Sequence, residues 1–264
     1  MPPAKRKPRT YHPDKTRSAV LAQFAAVRKG VEGLTPEQLA APTRLGDWTV
    51  RELAAHITMA SSAVARGLAA AGSGKAELRP QDWPMTSAPY AEDIDAYVRE
   101  LAAGNDLATL YAEAAQGLER SLAEHDGEAL VANRTGHMTL ADYLVTRTVE
   151  LIVHTDDLND AVPGLDIPYD RQALAACTRI LADALATKAP GASTEVRIPP
   201  YAVVQCVEGP RHTRGTPPNV VETDPLTWIR LATGRLPWAE AVDGALVSAS
   251  GERADLAELL PIMA

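Results

Sequence analysis

Cysteine is nearly absent: Cys177 and Cys206, far apart, are the only two in 264 residues. Two distant thiols make no disulfide framework, so the stapled secreted scaffolds are excluded and a reduced, cytoplasmic protein is expected. No run approaches the roughly 18 apolar residues of a membrane span. Positive charge is also short, with 26 Lys and Arg against 34 Asp and Glu and a net charge of −8. That balance argues against a body that binds nucleic acid. The basic residues Lys5, Arg6, Lys7 and Arg9 stand among Pro2, Pro3 and Pro8. Met1 to His12 therefore reads as a flexible basic tail, and with no apolar segment behind it, not as a secretory signal. There is no internal repeat. What is present, 46% hydrophobic and 23% charged residues, is the composition of a globular protein with room for one large domain or two ordinary ones.

The organisation is helical first and mixed afterwards. Val20, Leu21, Phe24 and Val27 predict an amphipathic helix over Asp14 to Val31, stopped by Gly30 and Gly33. Thr35 and Pro36 open a capped single turn. Thr49 with Glu52 forms a capping box for a second helix, whose core stripe is Val50, Leu53, Ile57, Val64 and Leu68. His56 lies beside that stripe, at its edge. After a polar loop over 73–88, a third helix is expected from Tyr90 to Glu124, with an interruption near Gly104-Asn105. From Asp170 to Lys188 a further helix leads out. The texture then changes: Thr194 to Ile198, Tyr201 to Val207, Asn219 to Glu222 and Ala245 to Ser250 read as strands. Asp224-Pro225 starts a helix over Leu226 to Thr233, and Asp255 to Leu260 a last short one. The expected divisions are a tail over 1–12, a helical bundle with its linking helix over 13–189, and a small α+β domain over 190–264.

The stretch that decides function is Leu140 to Leu158, free of Gly and Pro and apolar on most sides. At about 100° per residue, Tyr143, Arg147, Glu150, His154 and Asp157 share one narrow polar stripe. Such a stripe faces water in one reading, with Glu150 and His154 an exposed pair one turn apart. In the other it is buried, and a buried carboxylate beside an imidazole calls for a shared metal ion. Together with His56 these residues give two imidazoles and one carboxylate, the ligand set of open catalytic zinc sites. The same set suits non-haem Fe(II).

Trp48-Thr49-Val50-Arg51-Glu52-Leu53-Ala54-Ala55-His56, followed far downstream by Val149-Glu150-Leu151-Ile152-Val153-His154, resembles the mycothiol-dependent maleylpyruvate isomerase family. The resemblance covers roughly residues 14–165 and implies a DinB-like metal-binding four-helix bundle. It implies a divalent metal, usually taken as zinc, held by His56, Glu150 and His154. Thr223 to Arg235 resembles a sterol-carrier-protein-like carboxy-terminal domain, in which Trp228 is expected in the core. Asp157 is either the group that orients a ligand imidazole or an exposed acid near the helix end. Arg211, His212 and Arg214 in one loop, with Arg235, are candidate anion binders, and the resemblance implies that an arginine of this domain helps hold substrate carboxylates; each also has a solvated-surface reading.

The function expected is thiol chemistry at the metal, with mycothiol adding to a small electrophile, as isomerase or transferase. A second reading is a non-catalytic small-molecule or lipid carrier acting through the carboxy-terminal domain. A third is a metal-dependent hydrolase, which lacks an obvious general base beside the ligands. Neither nucleic acid nor membrane is an expected partner.

Overall fold

Helix α1 (Pro13–Glu32) lays Val20, Phe24, Val27 and Val31 against the interior, the spacing its sequence announces. The structure is a computed structural model that describes residues 9–86, 88–209 and 218–263. A short α2 (Pro36–Leu39) follows, closed by a capping box between Thr35 and Gln38. Helix α3 (Val50–Ala70) begins at the Thr49–Glu52 capping box. The loop after it contains a 3₁₀ segment, Pro80–Met85, that buries Trp83.

The third helix expected from Tyr90 to Glu124, with an interruption near Gly104-Asn105, is fully divided there into α4 (Ala91–Gly104) and α5 (Leu107–Glu124). The break falls at Asn105, whose backbone is extended, and Asp106 caps α5 by accepting from the Thr109 amide. A two-stranded antiparallel hairpin, β1 (Leu130–Asn133) and β2 (Gly136–Thr139), was not expected. Four-residue strands around a turn carry too short an alternation to stand out from a loop. Gly67 is required where α3 meets this hairpin, because a Cβ there would lie 2.5 Å from Val131 Cγ1 and 2.6 Å from the Ala132 carbonyl oxygen.

Helix α6 (Leu140–Ala161) starts at Thr139 and is buried almost all round. Packed together, α1, α3, α5 and α6 make the four-helix bundle. The buried hydroxyls of Thr146, Thr148 and Thr155 donate to backbone carbonyls of α6 itself, 2.6 to 2.7 Å away. Polar residues inside this helix therefore leave no hydroxyl unsatisfied.

Helix α7 (Arg171–Lys188) also buries most of its circumference, with one side on α1 and α6 and the other on the sheet. Its Cys177, Ile180, Leu181 and Leu185 share a core with Val196, Val204, Val221 and Trp228. By packing, then, α7 lies between the bundle and the sheet and is shared by both. The sheet runs β4-β3-β5-β6, from β3 (Thr194–Ile198), β4 (Ala202–Cys206), β5 (Val220–Thr223) and β6 (Val247–Ser250). Only β3 and β5 are parallel. Alternation sends Thr194, Val196 and Ile198 inward and leaves Glu195 and Arg197 outside, ion-paired at 2.7 Å. Helices α8 (Pro225–Ala232) and α9 (Trp238–Asp243) complete the unit; α9 was not expected, and the last helix is a single 3₁₀ turn, Ala257–Leu259. Trp228 is fully buried, as expected of a core residue.

Of the expected tail over Met1 to His12, the described residues 9–12 are held in place. Arg9 is ion-paired with Asp183 of α7 at 2.8 Å and Tyr11 packs against the second core. A guanidinium with a carboxylate partner and a half-buried ring hold this segment to α7, which its proline-rich composition does not reveal.

Candidate metal centre

The polar stripe of α6 faces inward. Tyr143 is 4% exposed, Arg147 5%, His154 6% and Asp157 0%, so the exposed-pair reading is excluded. Helix α3 brings His56 opposite, with its neighbours Leu53, Ala54, Ala55 and Ile57 all buried. The Trp48 ring lies 5.2 Å from the His56 ring and is anchored by Nε1 donating to Asp95 at 2.6 Å.

Glu150 Oε2 is 3.2 Å from His56 Nε2 and 3.3 Å from His154 Nε2, and the two imidazoles meet edge to face at 4.7 Å. The three donor atoms lie within 4.8 Å of one another. Ligands about 2.0–2.1 Å from a tetrahedral ion stand roughly 3.4 Å apart, so this spacing fits a small dication. The protonation chemistry agrees. His154 Nδ1 contacts Asp157 Oδ2 at 2.8 Å, and with the proton on that nitrogen, Nε2 turns a lone pair towards the Glu150 carboxylate. Two acceptors held that close require a proton or a cation between them.

The titrations show the same pull. Burial works against a charged His154, but hydrogen bonds to Asp157 and Glu150 outweigh it and raise its pKa. Burial lowers the pKa of His56, against the raising effect of Glu150. Burial alone would raise Glu150; contacts with His154 and His56 and the Arg147 charge hold it well below the usual carboxylate range. A metal ion takes such a site by displacing its protons.

Behind His154 stands a second layer that the sequence only half revealed. Asp157 is buried, not the exposed acid that one reading allowed. It accepts from Arg44 Nε at 2.7 Å and from Arg235 Nε and Nη2 at 3.2 and 3.0 Å. With His154 and Arg235 beside it, Asp157 stays well below its ordinary pKa although burial opposes this. Neighbouring Asp156 takes Arg230 of α8 bidentately at 2.9 and 2.6 Å, Arg44 at 2.5 Å and the Tyr169 hydroxyl at 3.0 Å. The sheet unit is thus riveted to α6 within one turn of His154. His56 has no such support: its Nδ1 is buried without a partner.

Of the four cationic candidates, Arg211, His212 and Arg214 lie outside the described residues. Arg235 is committed to Asp157, and a carboxylate-binding role would require it to leave that partner. Instead, the cations beside the ligands come from the bundle. A cavity of about 620 Å³ is lined by His56, Glu150, Arg147, Trp83 and Tyr143, with Arg66 and Arg134 also on its wall. Sequence reasoning placed Arg147 and Tyr143 on the right stripe but gave them no task, and Trp83 lay in a segment read as loop.

A four-helix bundle with a two-imidazole, one-carboxylate cluster, joined to a small α+β unit, defines a candidate metalloprotein. A family model described as the mycothiol maleylpyruvate isomerase N-terminal domain matches residues 20–159, more than half of the chain. The chain belongs to that family. Residues 170–262 match a second model, described as bacterial SCP ortholog. Two solved structures of a mycothiol-dependent maleylpyruvate isomerase, one with a histidine replaced by alanine, share the fold. Each aligns at 14% identity and a TM-score of 0.60 over 93% of this chain and 95% of the other. No curated protein matches the sequence.

Proposed function

We propose that this chain is a metal-dependent enzyme that uses a low-molecular-weight thiol, mycothiol, on a small electrophile, as an isomerase or thiol transferase. The observation that carries this reading is the convergence of Glu150 Oε2 on two imidazole Nε2 atoms, at 3.2 and 3.3 Å, on the wall of a cavity large enough for a small molecule. Zinc is the metal we assign to His56, Glu150 and His154. A zinc ion bound there would lower the pKa of a coordinating thiol and keep it as the nucleophilic thiolate.

The chain's own residues supply the rest. Asp157 fixes the His154 ring and directs its Nε2 to the site. Glu150 brings negative charge that favours a dication. Trp83 and Tyr143 give the cavity aromatic lining. Among the described residues no helix is long and apolar enough to cross a membrane. Buried, free Cys177 and Cys206 suit the reducing cytoplasm we assign.

The carrier reading draws on the match of residues 170–262 to the bacterial SCP ortholog model. Against it, Trp228, Ile229 and Leu231 fill the interior of that unit, while the cavity beside the donor cluster lies in the bundle. The deciding assay is turnover of maleylpyruvate by zinc-loaded protein with and without mycothiol, beside Glu150→Gln. Turnover that needs the thiol and disappears in the variant is expected. A zinc-loaded, folded protein inert to maleylpyruvate and a panel of other electrophiles with mycothiol would leave the carrier reading.

A further inference from the structure

Arg147 is a buried cation whose one carboxylate neighbour, Glu150, is shared with two imidazoles. Its side chain is 6% exposed, and the nearest carboxylate oxygen, Glu150 Oε1, is 3.8 Å from Nη2, beyond hydrogen-bond reach. Nε and Nη2 donate to the Thr146 hydroxyl at 3.2 and 3.1 Å, and Nη1 to the Ala60 carbonyl at 3.2 Å. A guanidinium has five N–H donors, so two have no acceptor among these contacts. The other support is aromatic: the guanidinium carbon lies 4.6 Å from the Tyr143 ring centre and 5.2 Å from that of Trp83. Its hydrogen bonds all go to neutral acceptors and its one ion pair is long, so a closer anion relieves the cost of burying the charge.

The surroundings point the same way. Arg147, Trp83 and Tyr143 all line the cavity that also holds His56 and Glu150. The wall carries two further cations. Arg66 donates to the Met59 carbonyl, and Arg134 reaches Asp93 only at 3.6 Å while covering the Tyr90 ring. Among the described residues on that wall, Glu150 is the sole carboxylate, and it is already engaged by the imidazoles. In a chain of net charge −8, this is a locally cationic, aromatic-walled chamber.

We propose that Arg147 is the specificity-determining residue of this cavity: its free N–H groups take a carboxylate on a planar, unsaturated small molecule whose flat face lies against Trp83 and Tyr143. The inference rests on the functional reading above for the reaction that follows, but not for the anion itself. It separates the work of the two units. The bundle's Arg147 selects the anion in the cavity, and Arg235 of the sheet unit braces Asp157.

Benzoate and benzamide make the test, because they share shape and ring and differ in charge. Their affinities for the zinc-loaded full chain are measured by calorimetry, beside Arg147→Met, Arg147→Lys and Arg66→Gln. Wild type and Arg66→Gln are expected to prefer benzoate at least tenfold. Arg147→Met should lose that preference with its zinc content unchanged, and Arg147→Lys should recover part of it. Equal binding of the two probes by wild type, or a preference for benzoate that survives in folded Arg147→Met, overturns the proposal. Should Arg147→Met not fold, wild type and Arg147→Lys decide it, the lysine variant being expected to prefer benzoate less than wild type does. Zinc measured on the same samples keeps the two readings apart: zinc bound without a benzoate preference sinks this inference and leaves the metal site standing.

Discussion

Replacing Asp157 with Asn asks whether the sheet unit supports the metal ligands. The side chain is fully buried and serves three donors: the His154 ring at 2.8 Å, Arg44 at 2.7 Å and Arg235 at 3.0 Å. Asparagine keeps the shape but removes the charge and turns an NH₂ group towards donors. Breaking a buried ion pair from one side costs about 3–5 kcal/mol. Arg44, with 22% side-chain exposure and Asp156 still as partner, and Arg235, with 12%, retain some access to water, which favours the lower end. About 3 kcal/mol corresponds to a fall in Tm of roughly 6–12 °C for a chain of this size. Independently, loss of the group that orients a ligand imidazole costs about 10- to 100-fold in metal affinity. Thermal unfolding of the metal-free protein reads the first quantity. Zinc competition against a chromophoric chelator, at a temperature where both proteins are folded, reads the second. A variant that is destabilised yet binds zinc as tightly as wild type would refute the reasoning, since Asp157 would then only tie arginines.

Other outcomes are fixed by the packing. Ile152→Ala opens a void in the core that α6 shares with α7 and the sheet and should cost about 2–5 kcal/mol, seen as a lower denaturation midpoint. Gly67→Ala drives a methyl group into Val131 and the Ala132 carbonyl, so a Tm several degrees lower is expected; an unchanged Tm contradicts the close approach of α3 to the hairpin. Thr49→Ala removes the cap of α3 and should cost about 1 kcal/mol in chemical unfolding. Burial pushes the Cys206 thiol up to about 11 and Cys177 higher still. Folded protein at pH 8 should therefore resist iodoacetamide for hours, while unfolded protein alkylates at both positions; fast labelling of the native chain would contradict the packing.

The helices and strands were largely legible because their signals are local: capping at Thr35 and Thr49, the 3.6-residue period of α1 and α3, the alternation in β3. The stripe on α6 was legible as a pattern, but its direction was not, since a polar stripe faces water or a site with the same spacing. What settles it is burial by α1, α3 and α7 together. His56 carried little signal alone and gained it from the resemblance spanning both ligand-bearing helices. Asp157 was misjudged by one reading because its partners Arg44 and Arg235 lie 113 and 78 positions away, out of reach of any local rule. The same holds for Arg235, whose place behind the site follows from the docking of α8. Trp83 sits in a segment that reads as a polar loop, yet it packs on Arg147.

The central claim is that His56, Glu150 and His154 hold a metal. Metal content by mass spectrometry, on protein purified without chelators and beside a folded His154→Ala variant, tests it most directly. About one zinc per chain in the wild type, lost in the variant, is the result predicted. A folded wild-type protein that stays metal-free after zinc is added would contradict the account.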